Sequence, residues 1–64
     1  MKIENGGVVQ LSDGRKGEVS ECGYSTFEVL GEHFFYSGEP LFATSDSVTV
    51  EKVLPIEDYP EEYL

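Results

Sequence analysis

Turn-forming residues cut this chain into pieces too short for a substantial helix. Asp13-Gly14, Gly23-Tyr24-Ser25, Gly31-Glu32 and Ser37-Gly38-Glu39-Pro40 recur every several residues. Glycine reaches positive φ at little cost, and Asp-Gly is a strong tight-turn signal. The runs between these clusters, residues 7–12, 17–22, 26–30, 33–36 and 48–53, are rich in β-branched and aromatic side chains, which favour strands. Five short strands separated by tight turns predict an antiparallel meander. The polar stretch Thr44-Ser45-Asp46-Ser47 has room for a single 3₁₀ turn.

Sixty-four residues permit one domain. With 39% hydrophobic and 12% aromatic residues, the chain has enough apolar material for a core and is too apolar for a disordered acidic tail. The core is thin, because domains below ~70–80 residues rarely gain more than ~3–5 kcal/mol from one. Cys22 is the sole cysteine, which excludes an intrachain disulfide and a cysteine zinc cluster. Good packing or a homodimer then supplies the remaining stability. A flat sheet leaves one face and two edges open, so coiling into a small barrel is the preferred architecture. The barrel is expected over residues 1–54.

Residues 55–64 differ in kind. Pro55-Ile56-Glu57-Asp58-Tyr59-Pro60-Glu61-Glu62-Tyr63-Leu64 holds four acids, two prolines, two tyrosines and no base. Pro55 ends the last strand, and Pro60 suits the start of a helical turn with Glu61 and Glu62 near its N-terminus. The apolar residues allow this acidic tail to pack back across the barrel.

Charge narrows the function classes. Thirteen Asp and Glu stand against four Lys and Arg, a formal net of -9. So small a domain must display nearly all of them, giving a field that repels phosphate backbones and attracts basic protein surfaces. Neither nucleic acid nor an anionic membrane is an expected partner. The lone cysteine, the absence of a secretory leader pattern at Met1 to Gly7 and the lack of a long apolar run place the expectation in the cytoplasm. No EF-hand pattern of alternating acids occurs, and neither a metal nor a cofactor is expected.

The stretch Val9-Gln10-Leu11-Ser12-Asp13-Gly14-Arg15-Lys16-Gly17-Glu18-Val19 resembles the KOW-type hairpin of transcription and ribosomal proteins. Gly14, Gly17 and Val19 fall at matching places. The resemblance implies an SH3-like five-stranded antiparallel barrel. RNA-binding KOW modules depend on basic or aromatic loops, and here only Arg15 and Lys16 answer to that. In size, charge and compactness the chain is also similar to small acidic bacteriophage proteins that occupy host enzymes or DNA-binding proteins.

Candidate chemistry is sparse. Catalysis by His33 needs an orienting or nucleophilic partner, and Cys22 answers only if the fold brings the two within hydrogen-bond reach. Phe34-Phe35-Tyr36 on a strand sends Phe35 to the opposite side from its neighbours. One side fills the barrel; the other is covered by the tail or offered to a partner. The leading expectation is a non-enzymatic binding module, of the kind phage inhibitors use, that docks on a basic or mixed protein surface. Glu57, Asp58, Tyr59, Glu61, Glu62 and Tyr63 are the expected contacts, since charge and aromatic area coincide there. A sharper form is a DNA mimic, with carboxylates in rows at phosphate spacing on a nucleic-acid-binding protein. The alternative, a KOW-like nucleic-acid binder, requires Lys2, Arg15, Lys16 and Lys52 to converge.

Overall fold

Strands form where the turn residues leave room for them. The computed structural model describes residues 3–64 and contains β1 (Val8–Leu11), β2 (Lys16–Ser20), β3 (Thr26–Val29), β4 (Glu32–Phe35) and β5 (Val50–Val53). The chain is all-β, with every strand pair antiparallel in the order β4-β3-β2-β1-β5. Only β1 to β4 follow as a meander. The fifth strand does not join β4 but returns to the free edge of β1.

Local chemistry fixes the hairpins. Between β1 and β2, the Leu11 N–H donates to the Arg15 carbonyl (2.7 Å) and the Gly14 N–H to the Leu11 carbonyl (2.9 Å). Ser12, Asp13 and Gly14 thus form a three-residue loop, with Gly14 at φ +94°. Between β3 and β4, Val29 pairs with Glu32 across a two-residue loop. Leu30 and Gly31 both take positive φ, 52° and 81°. That turn falls one residue earlier than Gly31-Glu32, and Glu32 joins the strand instead. The signal was hidden because leucine is a poor occupant of a left-handed position.

The sheet curls until its two ends approach. Residues after β4 fold back on it: the Phe35 N–H donates to Glu39 (2.7 Å) and the Leu41 N–H to His33 (2.9 Å). Beyond that turn, the Val50 N–H donates to the Gly38 carbonyl (2.8 Å), linking the β4 side to β5. β5 begins later than residue 48 because Thr49 is engaged by the first hairpin, exchanging bonds with the Ser12 N–H and Oγ. Thr44 and Ser47 close a hydrogen-bonded turn, with the Thr44 N–H on Ser47 Oγ at 2.6 Å. The Ser47 N–H donates to the Thr44 carbonyl at 3.1 Å, the single i→i+3 turn expected there.

Alternation assigns the core. Val9, Leu11, Val19, Phe27, Val29, Phe34 and Val50 form one buried cluster inside the curl. Phe27 stacks on Phe34 with centroids 6.0 Å apart and leans on Tyr36 at 5.4 Å. Val8 and Leu54 are also buried but stand outside that cluster. They are joined by the bond from the Leu54 N–H to the Val8 carbonyl (2.9 Å), just where the tail begins. No helix among the described residues is long and apolar enough to cross a membrane.

Candidate functional site: the acidic tail and its surroundings

The tail leaves β5 as two successive 3₁₀ turns, Ile56–Asp58 and Glu61–Tyr63, each preceded by a proline. Pro55 and Pro60 hold extended φ/ψ before their turns, consistent with the fixed proline φ. The Asp58 N–H donates to the Pro55 carbonyl and the Tyr63 N–H to the Pro60 carbonyl, both at 2.9 Å. Each turn carries an acidic pair followed by tyrosine: Glu57-Asp58-Tyr59, then Glu61-Glu62-Tyr63.

This repeated geometry sorts the six expected contact residues into two groups. Glu57, Asp58, Glu61 and Glu62 are exposed, whereas Tyr59 and Tyr63 are half-buried. Tyr59 joins Ile3, Gly7, Val9, Val19, Val53, Leu54 and Pro55 around a groove at the β1–β5 end of the sheet. Its hydroxyl comes within 4.0 Å of where a side chain on Gly7 would begin. Tyr59 therefore holds the tail against the sheet while the carboxylates face water. The exposed apolar area comes instead from Ile56, 71% exposed, and Leu64, 80% exposed. The sequence reading assigns both to packing against the barrel, and the structure leaves both exposed.

None of the four tail carboxylates forms an ion pair among the described residues. The acids that do are elsewhere. Asp13 accepts from the Arg15 backbone N–H (3.0 Å) and from Arg15 Nε (2.6 Å). The backbone bond is the main cause that holds the Asp13 carboxyl below the usual range; partial desolvation opposes it, and the guanidinium adds to it. Glu32 meets Arg15 Nη2 at 3.5 Å, and Glu28 meets His33 Nε2 at 3.5 Å.

Among the described residues the basic side chains gather only in part. Arg15 is engaged by Asp13 and Glu32. Lys16 and Lys52 flank Gln10 in neighbouring strands, and Lys2 lies outside the described residues. Glu18 follows two residues after Lys16 on the same strand face.

The two candidate catalytic side chains have other partners. Cys22 packs against the core cluster, its backbone N–H donating to Asn5 Oδ1 at 3.1 Å. His33 is exposed beside Glu28. The thiol's neighbour is Tyr36, whose hydroxyl donates to the Gly23 carbonyl at 2.7 Å. Desolvation, then the bond to Cys22 and its charge, push that hydroxyl above the ordinary phenol range. Among the described residues no group of three His, Cys, Asp or Glu side chains is placed to hold a metal.

Phe35 points away from Phe34 and Tyr36 as alternation requires, and it is 38% exposed while Phe34 is buried. The groove that Tyr59 lines includes no residue of β4. Comparison with protein-family models, curated proteins and solved structures finds no match for this chain.

Proposed function

We propose that this chain is a non-enzymatic acidic binding module whose C-terminal tail docks on a basic or mixed surface of another protein. The observation that carries the reading is the tail's division of labour. Tyr59 and Tyr63 are half-buried, while Glu57, Asp58, Glu61 and Glu62 are exposed and form no ion pair among the described residues. Carboxylates already spent in ion pairs give little to a partner; these four are free to steer an encounter and pair across an interface. Ile56 and Leu64 supply apolar area for the desolvated centre of such a contact.

The tail is a more compact acidic feature than the rest of the surface. Other acids are dispersed over turns and strands, and Lys16 and Lys52 interrupt the outer sheet face. This favours a docking arm over a DNA mimic, which needs extended rows of carboxylates. The KOW-like hairpin stays a proposal about fold ancestry, supported by its three-residue loop and by Gly17 opposite Val9. An inhibitor of the phage type, acting by occupying its partner's basic site in the cytoplasm, fits the same arrangement.

The testing experiment replaces the four tail acids with their amides in the full chain. Proteins retained by the wild type and lost with this variant, at unchanged stability, identify the docking partner. Retention of the same proteins by both defeats the reading.

A further inference from the structure

A second feature shares no lining residue with the tail's groove and does not depend on the tail. Gly31, Glu32, His33, Pro40 and Phe42 line a cleft of about 290 Å³ where the β3–β4 turn meets the segment after β4. Phe42 is 78% exposed there, in a chain that otherwise buries its phenylalanines or holds them on strands. The Phe34–Pro40 bridge fixes the cleft floor, because it pins the returning segment to β4. Phe42 is thus presented on a tethered loop, two residues beyond that bridge.

The electrostatics of this mouth select the occupant. Glu32 is half exposed and its contact with Arg15 is long, 3.5 Å, whereas Arg15 makes its short 2.6 Å contact with Asp13. Asp13, Arg15 and Glu32 together leave a net negative charge. An exposed aromatic face beside a carboxylate held only by a long ion pair is a pairing that receives a cationic side chain, by cation–π attraction and charge-assisted hydrogen bonding that replaces the long contact. A second copy of the chain is the less suitable occupant, since each copy carries a formal net charge of -9 and the two repel.

We propose that the cleft between Glu32 and Phe42 is a pocket for an arginine or lysine side chain presented by a basic polypeptide. The guanidinium or ammonium group lies against the Phe42 ring and pairs with the Glu32 carboxylate, and the aliphatic stem packs along Pro40. Arg15 retains Asp13 when Glu32 turns to the ligand.

The test is an amide-shift NMR titration of the full chain with acetyl-Gly-Arg-Gly-amide at about 150 mM salt, where unfocused attraction is screened over ~8 Å. The neutral isostere acetyl-Gly-citrulline-Gly-amide is titrated in parallel. Expected are saturable shifts centred on Gly31, Glu32, His33 and Phe42 with the arginine peptide, and at least threefold weaker binding of the citrulline peptide. Phe42→Ala and Glu32→Gln each weaken the arginine peptide by about threefold or more. Both positions are exposed, and an unchanged spectrum elsewhere establishes that each variant is folded. Equal binding of the two peptides overturns the proposal, as does binding that survives both substitutions. Shifts confined to residues 56–64 overturn it as well, and so do shifts at the cleft that follow protein concentration without peptide, which indicate a second copy.

Discussion

The backbone N–H of Val50 donates to the carbonyl of Gly38 at 2.8 Å, and this bond ties the β4 side of the sheet to β5. Gly38 holds φ +98°, and a Cβ there would stand 2.8 Å from the Val50 carbonyl oxygen. Backbone cannot yield as a flexible side chain can. Gly38→Ala is therefore expected to cost about 1–3 kcal/mol, from positive φ together with the clash. Urea denaturation checks it; an unchanged midpoint contradicts the closure.

Gly14 isolates the conformational term. Its φ is +94°, but nothing lies within 4 Å of the position a Cβ would take. Gly14→Val is expected to lower stability by about 1 kcal/mol or more, because a β-branched residue resists positive φ. The same denaturation measurement applies, and a variant as stable as the wild type contradicts the hairpin geometry.

Tyr36→Phe removes the hydroxyl that caps the Gly23 carbonyl while leaving the ring against Phe27. A lower urea midpoint than that of the wild type is expected. In the wild type, ultraviolet titration is expected to find one tyrosine ionising above the ordinary phenol range. Its folded-state value exceeds the unfolded one, so its contribution is full below the unfolded pKa and fades as pH rises through the folded value. A Tyr36 hydroxyl ionising at the ordinary phenol value contradicts this.

Asp13 acts in the opposite pH range. Its carboxyl is held below the ordinary value, first by the Arg15 backbone N–H. A depressed folded-state pKa gives stability that is present above the unfolded value and lost as pH falls through the folded one. Side-chain NMR is expected to show Asp13 titrating below a model aspartate, and Asp13→Asn to flatten the acid limb of the stability curve. An ordinary Asp13 titration contradicts the loop's hydrogen bonding.

The five strand positions were legible because glycine and proline mark where the chain turns and β-branched residues fill the intervals. Three features were not. Leu30 occupies a left-handed position that composition does not favour, so the third turn read one residue late. β5 pairing with β1 is a long-range choice that no local pattern encodes. In the tail, sequence located the acids but not the orientation of the tyrosines. Tyr59 lies over Gly7 because the sheet happens to present a groove there, and contacts between distant segments carry no sequence period.

The central claim is that Tyr59 anchors the tail and carboxylates serve its partner. The direct measurement compares two full-length variants, Tyr59→Ala and the fourfold amide substitution at Glu57, Asp58, Glu61 and Glu62, for thermal stability and for proteins retained from a cell lysate. Tyr59→Ala is expected to lose about 1–2 kcal/mol, as partial burial of an aromatic side chain implies. The amide variant is expected to keep its stability and lose a basic partner whose binding to the wild type weakens with salt. An amide variant that retains the same proteins at every salt concentration, or a Tyr59→Ala chain as stable as the wild type, contradicts the account.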